Sequence, residues 1–318
     1  MPEQSAVKIG LFVGREWSWP PAFIEEVNRR TAEMGVTAEY MKVGGTMMNE
    51  PCPYRVIIDR ISHEVPYYRV YLKNAVLQGV KVINDPFMWT ADDKFFGASI
   101  LTKIGIPSPR TVALPNKDYV PGIVHNESLR NLVFPLDWDK LVESVGGFPC
   151  VLKDAHGGGW KEVYIIRSMP ELIYRYNYSG LLTMILQEFI QWDEYARCMC
   201  LGQDDVRVMR YDPVNRYYHP EHGFSDEMHQ KLHDYTRAIC RTFGYDMNTC
   251  EFAIKEGIPY AIDFMNPAPD MDINSLGRTH FDWMVTHMAD LTIKFALSNV
   301  QTRDRYDWGR AAQSATTT

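Results

Sequence analysis

The sequence predicts an α/β segment followed by a longer α+β region, on three observations. Apolar strands alternate with helices across residues 7–83, the order that builds a parallel sheet with helices on its faces. Residues 148–167, FPCVLKDAHGGGWKEVYIIR, read as a strand, a glycine turn and a second strand. Further on, strands at 197–201 and 206–211, then at 247–254 and 259–264, read as antiparallel pairs around Gly202 and Glu256-Gly257.

Taken in order, residues 7–13 alternate and are largely apolar, a first strand ending at Gly14. Pro20 and Pro21 suit the first turn of a helix that runs to Met34 and stops at Gly35. Strands follow at 36–43 and 54–59, then a helix from Pro66 to Gln78 and a strand at 80–83. In such a sheet, ligands bind beyond the carboxyl ends of the strands. Gly14–Trp17 and Asp59–His63 are those ends, which makes Arg15, Arg60 and His63 candidates for holding a substrate. A helix is expected over 90–104, an extended segment at IPSPRTVAL, and a short helix over 137–145. Beyond the glycine turn come a helix over 171–176, a strand over 183–190, an amphipathic helix over 226–243 with Gly244 past its end, and a last helix over 279–297. The small, polar stretch 310–318 reads as disordered.

Composition narrows the function. The 318 residues suffice for two or three compact units, and 46% hydrophobic with 23% charged residues is ordinary for a globular protein. A net charge of -7 argues against nucleic acid or an anionic membrane as the main partner. The six cysteines form no C-x-x-C pair, and Cys198 and Cys200 share a strand face, so core packing in a reducing, cytoplasmic setting is expected. MPEQSAVKIG has no basic segment ahead of an apolar run, so no signal peptide is read there.

The glycine turn carries the clearest chemistry. Gly157, Gly158 and Gly159 let backbone N–H groups approach anionic oxygens, and Lys153 and Lys161 flank them with positive charge. The G-x-x-x-x-G-K-[ST] pattern is absent, so this is no P-loop. A plain hairpin using glycine for its turn is the competing reading.

Five segments in order resemble the ATP-grasp superfamily of carboxylate–amine ligases: VINDP with ADDKFFGASILTKIGIPSPRT; GGFPCVLKDAHGGGWKEVYIIRS; ILQEFIQWDEYARCMCLG; RVMRYDP; and CEFAIKEGIPYAIDFMNPAP. The resemblance implies an ATP-grasp fold preceded by a parallel-sheet domain. On it the chain divides into 1–90 on the substrate side, a central lobe 91–186 with the glycine-rich flap, a lobe 187–300 with a metal site, and a tail 301–318. ATP and Mg²⁺ are the implied cofactors. Lys94 and Lys153 would neutralise phosphate oxygens, with Lys161 in the flap. Gln187-Glu188-Phe189-Ile190 resembles the adenine hinge, in which the backbone of Glu188 and Ile190 meets the base. Glu194 resembles the carboxylate that takes the ribose hydroxyls, with Asp193 as the competitor. Glu251, Asp263 and Asn266 would hold magnesium. This chain has Asp263-Phe264-Met265-Asn266, one residue longer than the usual acid-x-Asn, which a bulge would absorb. Arg210, ahead of Arg197, would steady the γ-phosphate or an acyl phosphate, with Asn274 and Arg278 near the acceptor.

The implied reaction joins a small-molecule carboxylate to an amine through an acyl phosphate, releasing ADP and phosphate, and relatives are often dimers. A small-molecule kinase and a non-catalytic ATP-binding protein are the alternatives on the same scaffold. His219, His222, His229 and His233 form a separate cluster, for which polar helix-flanking histidines outweigh a zinc site.

Overall fold

The computed structural model describes residues 6–48, 50–87, 93–123, 128–159 and 161–298. The chain folds as two compact units that exchange segments. One holds residues 6–87, Tyr195–Phe252 and 266–298; the other holds 93–194 and Ala253–Met265.

The first unit opens with β1 (Val7–Phe12), α1 (Trp19–Arg30), β2 (Val36–Tyr40), β3 (Val56–Asp59), α2 (Pro66–Leu77) and β4 (Lys81–Ile83). The four strands form one parallel sheet in the order β2-β1-β3-β4. Ile9, Val56, Ile57, Ile58, Val82 and Ile83 are fully buried, which explains the near-continuous apolar runs: a parallel sheet is covered on both faces. Gly10 is required by close approach, because a Cβ there would lie 2.6 Å from Met41 and 2.8 Å from the Tyr54 ring.

The same unit contains β9 (Glu194–Leu201) from Tyr195 on, β10 (Asp205–Asp212), β11 (Tyr217–Tyr218), α6 (Asp226–Phe243), the Met247–Phe252 part of β12 (Met247–Lys255), and α7 (Ile273–Leu297). A five-stranded sheet runs β11-β10-β9-β12-β13, with β13 at Ile258–Asn266. Helix α6 begins where Ser225 accepts a hydrogen bond from Met228 N and ends where Gly244 takes φ 78°. Helix α7 starts six residues earlier than the sequence expectation, capped by Asp272. Gly277 departs from helical geometry inside it, which hides the first turn from a periodicity reading.

The second unit is built on α3 (Lys94–Lys103), β5 (Thr111–Ala113), α4 (Trp138–Ser144), β6 (Cys150–Asp154), β7 (Val163–Ile166), α5 (Met169–Asn177) and β8 (Met184–Glu188). Its sheet is antiparallel, in the order β5-β8-β6-β7. Leu114, Val142, Leu152, Leu172 and Leu186 fill the layer between this sheet and its two flanking helices. Helix α3 begins at Lys94, because Asp93 caps it by accepting from Phe96 N at 2.5 Å; the expected start at Thr90 lies outside the described residues. A Cβ at Gly97 would stand 2.7 Å from Met265 and 3.0 Å from Phe264, so this glycine lets α3 lie directly on β13. Strand β5 is the segment read as merely extended, and both β5 and β11 are too short for a periodic signal.

Candidate functional site

The glycine turn joins antiparallel neighbours β6 and β7, which pair Cys150 with Ile166 through Lys153 with Val163. Asp154 shapes it: its carboxylate accepts from His156 N at 3.0 Å, and a Cβ at Gly157 would come within 2.9 Å of it. Gly159 takes φ 66°, and a Cβ at Gly158 would meet nothing within 4 Å, so the tip is bare backbone. Trp160 lies outside the described residues, and Lys161 is exposed beside the turn.

Two lysine ammonium groups of this unit each reach a backbone carbonyl. Lys94 Nζ donates to the carbonyl of Gly157, while its own N–H donates to Ala155 O at 3.0 Å. Lys153 is 7% exposed, and its Nζ donates to the carbonyl of Ile262 at 3.0 Å, the residue before Asp263. A buried lysine beside a strand bearing a carboxylate is a prepared cation. Strand β13 has buried positions at Pro259, Ala261 and Phe264. Ile262 and Asp263 between them are half-buried.

Strand β8 ends at Glu188. Its N–H is taken by Arg110 O at 2.9 Å, which differs from the expectation that this N–H meets a base. Its carboxylate is gripped by Arg110 at 3.0 and 3.1 Å. Burial pushes that carboxyl up, but the Arg110 hydrogen bonds prevail and hold it below the usual carboxylate range. Phe189 faces Trp192 at 5.9 Å between ring centroids, and Ile190 is buried. Of the two acids beyond, Asp193 accepts from Glu256 N at 2.8 Å and so caps the two-residue turn between β12 and β13. Glu256 and Gly257 both have positive φ there, as a tight hairpin requires. Glu194, at the start of β9, is half-buried.

In the first unit, Arg197 and Glu251 meet at 2.6 Å, 15% and 9% exposed. Arg197 also donates to Tyr218 OH at 2.8 Å and lies over the Tyr211 ring at 4.7 Å; Tyr195 OH donates to Glu251. Burial opposes the guanidinium charge, but Glu251 outweighs it and keeps Arg197 firmly protonated. Arg210 is half-buried and stands over Phe224 at 5.7 Å. Asn266 N donates to Asn248 Oδ1 at 2.8 Å. Among the described residues, no group of three or more His, Cys, Asp or Glu is arranged to hold a metal ion. That bears on the histidines too: His222 and His229 approach at 4.5 Å between rings, without a third ligand.

The suspected strand ends behave differently from one another. Arg60 is 5% exposed and spent internally on Glu16, the Pro269 carbonyl and Met247 Sδ, so it is a structural cation. Arg15 is exposed and paired with Glu64, and His63 is exposed as well. Periodicity missed Arg110 and the tyrosines around Arg197, since both sets act across strands.

His280 is 3% exposed; its Nε2–H donates to His219 O at 2.8 Å and its Nδ1 accepts from Arg207 at 3.3 Å. Burial depresses its pKa, as it does those of His63 and His229. A depressed histidine binds its proton more weakly in the folded state, so stability is complete above about pH 6.5 and falls as pH drops through that value. Urea midpoints at pH 7.5 and 5.5 check this: a lower midpoint at 5.5 is expected, with the difference reduced in His280→Gln.

No family model matches the sequence, and no curated protein matches it. Solved structures do. D-alanine–D-alanine ligase from Bacillus anthracis, complexed with ATP, aligns at 16% identity over 92% of this chain and 97% of its own, TM-score 0.63. VanG D-Ala:D-Ser ligase from Enterococcus faecalis aligns at 12% identity over 92% and 99%, TM-score 0.66. The ATP-grasp ligase PsnB, complexed with a phosphomimetic variant of its minimal precursor, Mg and ADP, aligns at 15% identity over 92% and 99%, TM-score 0.63. Three ligases matched across nearly their whole lengths establish the architecture: this chain has the ATP-grasp fold.

Proposed function

We propose that this protein is an ATP-dependent ligase that joins a carboxylate to an amine through an acyl phosphate, releasing ADP and phosphate. The observation that carries the proposal is the pair of lysines in the second unit: Lys94 on the flap carbonyl of Gly157, and buried Lys153 on the backbone of Ile262. Two ammonium groups and a bare glycine backbone are the means of holding a polyphosphate without covalent chemistry. The matched ligases solved with ATP and with Mg and ADP support this reading.

In it, Lys94, Lys153 and Lys161 neutralise phosphate oxygens beneath Gly157–Gly159. Phe189 and Ile190 cover the base, and Glu194 takes the ribose, since Asp193 is committed to the β12–β13 turn. Magnesium needs only one or two carboxylates when phosphates and waters complete its shell. Asp263, Glu251 and Asn266 are its proposed ligands, and it would neutralise charge on the transferred phosphoryl group. Arg210 is the proposed phosphate-facing arginine, because Arg197 is already engaged by Glu251 and acts by orienting it.

The test is ADP release with ATP and Mg²⁺ across a panel of amino acids, small carboxylates and amines, with products weighed by mass spectrometry. An amide product in step with ADP is expected. ADP with a phosphorylated, unligated product would make the protein a kinase, and nucleotide binding without ADP would make it non-catalytic.

A further inference from the structure

We propose that the first unit carries a second, independent binding site, for a small zwitterion, in the cavity between the loop 41–55 and helix α2. The described residues of this connection between β2 and β3, 41–48 and 50–55, carry no helix or strand, and connections of such length are usually associated with binding. Three side chains of α2 and its C-cap pin it. Tyr67 OH donates to Gly44 O. Tyr71 OH meets Cys52 Sγ at 3.4 Å. Gln78 accepts from Cys52 N at 2.8 Å and donates to Glu50 O at 3.2 Å. The loop is thus tied at both ends across a gap that its own side chains leave open.

The gap has a volume of about 160 Å³, the share of roughly five waters. That suits a molecule of a few heavy atoms. Lys42 and Glu50 both line it, yet neither makes an ion pair among the described residues. Among the described residues, the Glu50 carboxylate accepts from Met47 N alone, at 3.3 Å. The Asn74 side chain also lines the cavity and has no hydrogen bond among the described residues. A Cβ at Gly44 or Gly45 would meet nothing within 4 Å, so bare backbone faces the opening.

A lone anion would leave Glu50 opposed, and a lone cation would leave Lys42 opposed. A ligand with a carboxylate toward Lys42 and an ammonium toward Glu50 satisfies both, with Asn74 able to donate to one and accept from the other. None of the residues assigned to nucleotide or metal lines this cavity, so its occupancy does not depend on the ligase reading.

Calorimetric titration of the full chain, without nucleotide, tests the site. Glycine, alanine and serine serve as zwitterions; acetate and methylamine each carry one half of the charge. Saturable binding of a zwitterion is expected, at least about tenfold tighter than either half-ligand, and weakened at least about tenfold by Lys42→Ala and by Glu50→Gln. Both positions are exposed, and unchanged thermal midpoints would show that the fold survives. Lys153→Met should leave this binding untouched. No saturation by any zwitterion, or an affinity that survives both loop substitutions, overturns the proposal. Because ADP release is measured separately, either reading can fail without the other.

Discussion

Lys153→Met lowers the rate of ADP release by about 10²–10³-fold, the loss expected when one preorganised donor is taken from a site of developing charge. The lysine is 7% exposed and reaches the carbonyl of Ile262 at 3.0 Å. Methionine keeps the stem packed and removes only the ammonium. The Ile262 carbonyl then loses this donor, at a cost of about 1–3 kcal/mol in stability. Single-turnover ADP formation with saturating ATP, beside a urea melt, separates the two effects. A wild-type rate in a folded variant would remove Lys153 from the phosphate site and leave it a strut between β6 and β13.

The largest stability effect belongs to a different lysine. Lys81 Nζ and Asp246 Oδ2 lie 2.5 Å apart with side chains 9% and 6% exposed, and the ammonium also stands over the Phe295 ring at 4.5 Å. The segment is fixed further by Asn84, whose Oδ1 accepts from Asp246 N and Met247 N at 2.8 and 2.9 Å. Asp246→Ala removes the carboxylate from a buried ammonium and should cost about 3–5 kcal/mol, read as a lower urea midpoint. The double variant Lys81→Met with Asp246→Leu should recover most of that loss, because a buried pair replaced by packed apolar groups is often neutral. A double variant as weak as the single one would place the stabilisation in packing rather than charge.

Both predictions turn on contacts far apart in the chain, and that is where sequence and structure part. Local signals were legible. The 226–243 helix coincides with the structure because Ser225 and Gly244 are chemical stop marks on either side of an amphipathic run. The β6–turn–β7 hairpin was visible from two apolar runs around three glycines. The β12–β13 turn was visible in Glu256-Gly257, although the strands prove longer than the alternation suggested. Tyr217–Tyr218 and Thr111–Ala113 were not, since two or three residues carry no period.

The candidate site divides the same way. Local residue pattern picked out the glycine turn with Lys153 and Lys161, whereas Lys94 and the acids were named through the resemblance to the ATP-grasp superfamily. The sequence alone therefore determined most of the longer elements and the glycine turn between β6 and β7. Only tertiary structure decided the commitments of each charged group: Asp193 to the hairpin turn, Glu188 to Arg110, Arg60 to Glu16, and Arg197 to Glu251. The physical reason is range. Capping, turn chemistry and periodicity act within a few residues, whereas the partner of a buried charge is set by strand pairing across dozens, and no local pattern encodes it.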